Sequence, residues 1–213
     1  MGRVRVRQHV NPLAIKFQGP IQLSDWTEVY QDTARPLHID LGCGRGRLLW
    51  KLAQIEPDWN FLGLEIREPL VIEANEWRDQ AALKNLHYLF CNVNSSLEKI
   101  LESLPRQMPI QRVSIQFPDP WFKKRHQRRR VVQPELVNIL AQYLAPTGEI
   151  FLQSDVQEVA MEMCDRFAEH PAFQSISDEW LSGNPLPIPS EREHATLSRG
   201  EPVYRTIFKF SSL

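Results

Sequence analysis

Apolar positions along the chain alternate between two spacings. Leu37–Leu41 is a short, mostly apolar run closed by glycine and reads as a strand. Leu48, Leu49, Leu52 and Ile55 then recur at helical spacing. The same alternation repeats downstream. Strands are predicted at Phe61–Ile66, Leu86–Cys91, Val113–Phe117 and Gly148–Gln153. Helices are predicted at 68–82, 95–104, 133–144 and 156–170, with Pro69 and Pro134 placed in first turns, where a missing N–H costs nothing. A short helix near 22–31 precedes the series, and the alternating tail at 202–210 reads as a last strand. Five strand–helix repeats predict an α/β fold: a parallel sheet with helices on both faces and ligands at the carboxyl ends of its strands. The expected organisation is a basic arm and helix at 1–34 and a single domain over 35–213. The Pro-rich stretch Gly183–Ser190 is either a connector or a loop that closes on a ligand.

Composition adds little to that picture until charge is mapped along the chain. With 213 residues and a net charge of −1, the protein is large enough for a sizeable core and is not basic overall. Nine of its 25 cations, however, fall at Arg3, Arg5, Arg7 and in the run 123–130. The rest of the chain holds sixteen cations against 26 acids, so a polyanion is drawn to one place rather than everywhere. Cys43, Cys91 and Cys164 are odd in number and lack a C-x-x-C pair, which argues against a disulfide framework or a zinc site and fits a reducing cytoplasm. No apolar signal core or membrane-length run is present, so no membrane role and no metal are expected.

The chemistry-bearing residues cluster at strand ends. After the first strand comes Asp40–Leu41–Gly42–Cys43–Gly44–Arg45–Gly46. Its glycines let the backbone turn sharply and approach a ligand, and a helix start supplies free N–H groups. The G-x-G-x-G spacing differs from the dinucleotide pattern, and a carboxylate precedes the turn. That suits a cationic head such as the ammonium and sulfonium of S-adenosylmethionine better than a pyrophosphate. Glu65 ends the second strand, where a carboxylate can accept two ribose hydroxyls. Asn92 follows the third, as an adenine reader or a turn former. After the fourth strand comes FPDPWFKKRHQRRR, residues 117–130. It sets Asp119 between Pro118 and Pro120, then Trp121 and Phe122, then Lys123, Lys124, Arg125, Arg128, Arg129 and Arg130. Six cations without an interleaved acid repel one another unless phosphate neutralises them. Asp155 follows the fifth strand, as a helix cap or a site residue.

Together, DLGCGRG, GLE at 63–65, FPDPWFKKRHQRRR, QSD at 153–155 and SEREHATLSRGEPVYR at 190–205 resemble the bacterial tRNA (guanine-N7)-methyltransferases of TrmB type, from about residue 35 onward. The resemblance implies a class I methyltransferase fold: a Rossmann-like sheet, mostly parallel with an antiparallel C-terminal strand. It implies methyl transfer from S-adenosylmethionine to N7 of the guanine at position 46 in the variable loop of tRNA. It carries cofactor contacts to Asp40, Glu65, Asn92 and Asp119, with Gly42, Gly44 and Gly46 lining the turn, and makes Asp119 the catalytic residue. It places substrate contacts on Lys123, Asp155, Ser190 and Glu193. The chain departs from the family with Asn92 for aspartate, Phe122 for histidine and Ser190 for threonine. The rivals are a methyltransferase of exocyclic amines, whose motif resembles Asp119–Pro120–Trp121–Phe122 without its second proline, and a non-catalytic RNA-binding protein.

Overall fold

The structure, a computed structural model, describes residues 10–211; the arm carrying Arg3, Arg5 and Arg7 lies outside them. The chain divides into two compact units, Met1–Pro109 and Ile110–Leu213.

The first unit contains three strands in the order β3-β2-β1, all parallel: β1 (Leu37–Leu41), β2 (Asn60–Glu65) and β3 (Leu86–Phe90). Every residue of β1 and β2 is buried, as parallel strands covered on both faces require. The helices are α1 (Trp26–Val29), α2 (Arg47–Ile55), α3 (Glu68–Gln80) and α4 (Val93–Ser103). Leu48, Leu49 and Leu52 of α2 face the core as predicted, whereas Ile55, counted in the same stripe, is 52% exposed. α1 is shorter than the helix expected near 22–31; the Asp25 side chain caps it by accepting from Thr27 N–H at 2.9 Å. β2 begins one residue before its predicted start. Asn60 is buried there because its amide donates to the Asp32 carbonyl at 2.8 Å.

The second unit holds four strands in the order β4-β5-β7-β6: β4 (Ile110–Gln116), β5 (Leu144–Ser154), β6 (Phe173–Ser175) and β7 (Tyr204–Phe210). β4 and β5 are parallel; β5–β7 and β6–β7 are antiparallel. Its helices are α5 (Pro134–Tyr143), α6 (Gln157–Ala168) and α7 (Glu191–Ser198). Pro134 opens α5 as the sequence indicates. Besides a 3-10 helix at Lys124–Arg129, one strand and one α-helix of this unit are new relative to the sequence reading. β6 is three residues long, and α7 buries Glu193 and Thr196 instead of an apolar stripe. Ser190 caps α7, its hydroxyl accepting from Glu193 N–H at 3.3 Å. Phe167 of α6 packs its ring against those of Phe173 and Phe208, with centroids 5.1 and 5.6 Å apart. Among the described residues no helix is long and apolar enough to cross a membrane.

Candidate active-site residues

In the first unit, the ends of β1 and β2 meet at the glycine turn. Gly42 and Cys43 N–H both donate to the Leu64 carbonyl, at 2.8 and 3.0 Å, which ties the turn to β2. Gly42, Gly44 and Gly46 have φ of 85°, 60° and 70°, conformations that residues with a Cβ adopt at a cost. At Gly46 the space is closed as well: an added Cβ would stand 2.4 Å from Tyr88 Cε1, and the Tyr88 hydroxyl donates to the Gly46 carbonyl. Gly44 N–H donates to Glu65 Oε2 at 2.9 Å. Glu65 is buried, and Arg67 grips it too: Arg67 N–H and Nε donate to Oε1 at 2.9 and 2.8 Å, and a terminal nitrogen donates to Oε2 at 2.9 Å.

Asp40 is also buried, one residue before the turn. Its charge and that of Glu65 both reach Cys43. Burial first, then Glu65, then Asp40, push the Cys43 thiol well above its ordinary range. The turn therefore lies beside two buried carboxylates, one of them paired with Arg67, and its three glycines let the backbone come close to a ligand. That combination fits a cationic, hydroxyl-bearing ligand such as S-adenosylmethionine.

Asn92 stands at the end of β3 but caps nothing. Its Nδ2 donates to the carbonyls of Pro12 and Phe17, at 3.0 and 3.3 Å. The side chain thus holds down a short 3-10 turn, Ile15–Phe17, whose Phe17 ring meets Phe90 edge-on at 6.5 Å. An aspartate could not donate these bonds. A cavity of about 760 Å³ opens beside it, lined by Phe17, Val71, His87, Tyr88, Phe90 and Asn92 among others.

In the second unit, β4 delivers the chain to Phe117, whose N–H donates to the Gln153 carbonyl at 2.8 Å. The segment Pro118–Asp119–Pro120 is bracketed by two left-handed aromatic residues, Phe117 (φ 49°) and Trp121 (φ 41°). Phe122 is 65% exposed. Residues 124–129 form a 3-10 helix that leaves Lys123, Lys124, Arg125 and Arg128 exposed. Arg129 lies 4.9 Å from the Trp121 ring centre, and His126 meets that ring edge-on. One face of the Trp121 ring is therefore occupied by a guanidinium. The collective field of the run shows at His126, which is held below its ordinary range by desolvation and then by Arg129, Arg125 and Lys123.

Two expectations need correction. Arg130 is not a surface cation. It is 4% exposed, its Nε donates to the Pro120 carbonyl at 2.8 Å, and its terminal nitrogens pair with Glu162 and, at 3.6 Å, with Glu158. Glu193 is 1% exposed, with its carboxylate engaged by Arg205 at 2.7 Å, by Asn184, and by Gln153 at 3.4 Å. Its side chain braces α7 and the 183–190 segment against β5 and β7, so its carboxylate is already engaged within the protein. Asp155, weighed as a helix cap, accepts from Arg192 Nε at 2.9 Å. α6 instead has Val156 at its N-cap position, without a side-chain cap. Ser190, Arg192 and Asp155 are thus brought together.

Sequence reasoning missed Arg67, Arg192, Arg205 and Glu162. Arg67 had a signal, since it lies two residues beyond a strand-end carboxylate. The others pair with residues 12 to 37 positions away, which no local pattern marks.

Residues 34–206 match a family model described as "Putative methyltransferase". The chain is 62% identical over 207 residues to a tRNA (guanine-N(7)-)-methyltransferase of Trichormus variabilis, covering 97% of this chain and 96% of that one. It is 59% identical to one of Synechococcus elongatus (98% and 97% covered) and 56% identical to one of Synechocystis (98% and 99%). Among solved structures, the 16S rRNA methyltransferase KamB aligns with a TM-score of 0.58 at 16% identity, covering 90% of this chain and 95% of that one. A methyltransferase from Streptococcus mutans in complex with SAH aligns at 0.50 and 12% identity, covering 87% and 92%. These likenesses bear out the methyltransferase fold expected from the sequence, mostly parallel with antiparallel C-terminal strands.

Proposed function

The chain belongs to the family of tRNA (guanine-N(7)-)-methyltransferases, and on that premise we propose that it methylates N7 of the guanine at position 46, in the variable loop of tRNA. The observation that carries the site reading is the glycine turn flanked by the buried carboxylates of Asp40 and Glu65, with Gly44 N–H on Glu65. S-adenosylmethionine supplies an electrophilic methyl group when bound. Asp40 would favour its positive charge, Glu65 its ribose hydroxyls, and Asn92 its adenine amine through Oδ1, since Nδ2 is committed to the N-terminal segment. For Glu65 this means exchanging part of the Arg67 fork for hydroxyl donors.

Guanine N7 carries a lone pair and no proton, so nothing need act as a base. The work of the protein is placement and electrostatics. Asp119, fixed between two prolines, would orient the guanine or balance the cofactor's ammonium. Phe122 supplies no titratable group where the family has histidine, which suits a reaction that needs no proton carrier. Lys123, Lys124, Arg125 and Arg128 face solvent and would grip phosphate, with Arg129 shared between phosphate and Trp121. Asp155, paired with Arg192 beside the Ser190 cap, would order the substrate-facing side of α7.

The test is to incubate unmodified tRNA with the pure protein and methyl-labelled cofactor, then analyse its nucleosides by mass. The expected product is 7-methylguanosine, with a single break in the variable loop after borohydride and aniline treatment. Label recovered on an exocyclic nitrogen, in tRNA that resists scission, would transfer the reading to an amine methyltransferase.

A further inference from the structure

Arg130 ends the basic run, yet it is the one member the fold takes out of solvent. Three observations define its place. Its Nε–H donates to the carbonyl of Pro120, the residue immediately after Asp119, at 2.8 Å. Its terminal nitrogens face Glu162 and Glu158, one helical turn apart on α6. Pro118, Asp119, Arg130, Val132, Glu162 and Met163 line one small cavity of about 10 Å³, room for about one water molecule.

The segment it touches needs holding. Phe117 and Trp121 both sit in the left-handed region, where a residue with a Cβ persists only if its surroundings over-determine it. Pro118 and Pro120 have no N–H to contribute. Phe117 N–H secures the upstream end on the Gln153 carbonyl. The Arg130 bond secures the downstream end, on the carbonyl that leads into Trp121. A guanidinium serves both demands at once. Its Nε reaches a backbone carbonyl and one terminal nitrogen bonds Glu162, while the other lies 3.6 Å from Glu158 without a hydrogen-bond partner; the two carboxylates offset the buried charge.

We propose that Arg130, ion-paired with Glu162, is a positioning residue for Asp119 and not a phosphate contact. The proposal rests on the reading that Asp119 acts at the reacting centre. Loss of the tie lets the Pro–Asp–Pro segment relax toward unstrained angles and displaces the Asp119 carboxylate. A displacement of about 1 Å can cost on the order of 10²-fold in rate.

The experiment compares Arg130→Met, Arg130→Lys and Glu162→Gln with wild type, at a temperature well below every variant's melting transition. Turnover is measured at saturating tRNA and cofactor, and tRNA affinity across a salt series. Arg130→Met is expected to lower kcat by about tenfold or more. Its tRNA KM and the slope of log affinity against log salt should stay unchanged. Arg130→Lys, which keeps a donor and a charge, should recover most of that loss. Glu162→Gln, which leaves the Pro120 bond in place, should lose less than Arg130→Met and covers the case in which that variant does not fold. Wild-type kcat in Arg130→Met overturns the proposal. So does a salt slope flattened by roughly 0.7 to 0.9, the signature of a lost phosphate contact. Asp119→Ala is run alongside. If it too keeps full turnover, the reading of Asp119 has failed; if it loses turnover while Arg130→Met does not, only the positioning role has failed.

Discussion

The ends of β1 and β4 solve one problem in opposite ways. Both must turn the chain out of a strand and leave polar groups facing a ligand. At β1 the turn is made by three glycines with φ between 60° and 85°, and nothing but backbone is presented. At β4 it is made by Phe117 and Trp121 at φ of 49° and 41°, so the same kind of bend comes with large side chains attached. A left-handed residue with a Cβ costs about 1–2 kcal/mol. The glycine turn is held by bonds to the Leu64 carbonyl, Glu65 and Tyr88 without a left-handed side chain to support, whereas the aromatic one is tied by the Gln153 carbonyl and Arg130. The difference suits the roles proposed for each end. Close approach to a small ligand calls for absent side chains. Holding a base and a phosphate backbone calls for side chains, and the strain they bring is met by added ties.

The strongest test of this contrast is the carboxylate at its centre. Asp119→Ala should lower kcat by on the order of 10²-fold or more, with tRNA affinity nearly unchanged because the exposed cations lie elsewhere in the sequence. Single-turnover kinetics with saturating tRNA would read it. Near wild-type turnover would mean that the clamped loop is scaffolding. Next in size are the glycines. Gly46→Ala meets both an unfavourable φ and the Tyr88 ring, and should cost about 2 kcal/mol or more of stability. Gly44→Ala has open space around it, its nearest neighbour being Arg67 at 3.8 Å, and should cost only the φ penalty of about 1 kcal/mol. Gly44→Val should abolish cofactor binding by calorimetry. Equal melting temperatures for the two alanine variants would show that Tyr88 yields.

A finer test reverses the usual order of two substitutions. At most strand ends glycine is less stable than alanine, because it gains more freedom on unfolding. At Phe117 the left-handed φ should invert this: Phe117→Gly should be more stable than Phe117→Ala by about 1 kcal/mol in denaturant titration. If alanine is the more stable, the bend at β4 carries no strain and the contrast with β1 collapses.

Much of the fold was legible because its strands are mostly apolar runs and its helices periodic. β1 occupies its predicted span, and the other strand–helix repeats differ by a few residues at their ends, β5 most, since it starts at Leu144 ahead of Gly148. What escaped is what periodicity cannot see. β6 has three residues, too few for an alternation. α7 buries a glutamate and a threonine, so it has no apolar stripe to detect. The candidate site divides the same way. Asp40, the glycines, Glu65 and Asp119 were visible because each stands at a strand end. The duties of Glu193 and Arg130 were not, because burial and pairing are decided by partners such as Arg205 and Glu162 that lie far along the chain. Six cations within eight residues look alike in sequence; only packing shows that Arg130 is buried while Arg128 is exposed.

That last distinction gives the smallest and most specific prediction. Arg128 is exposed within the 3-10 helix and has no acid beside it in sequence. If it meets a phosphate, Arg128→Ala should reduce the slope of log affinity against log salt by roughly 0.7 to 0.9. At moderate salt the affinity itself should fall only several-fold, and saturating kcat should not change. Arg129→Ala should do the same and also free the Trp121 ring, which a change in tryptophan fluorescence would report. The two cations therefore separate by one optical readout while sharing one electrostatic one. A slope left unchanged in the Arg128→Ala, Arg129→Ala double variant would place the tRNA backbone away from this helix. The aromatic bend at β4 would then be left with a carboxylate to hold and no phosphate beside it.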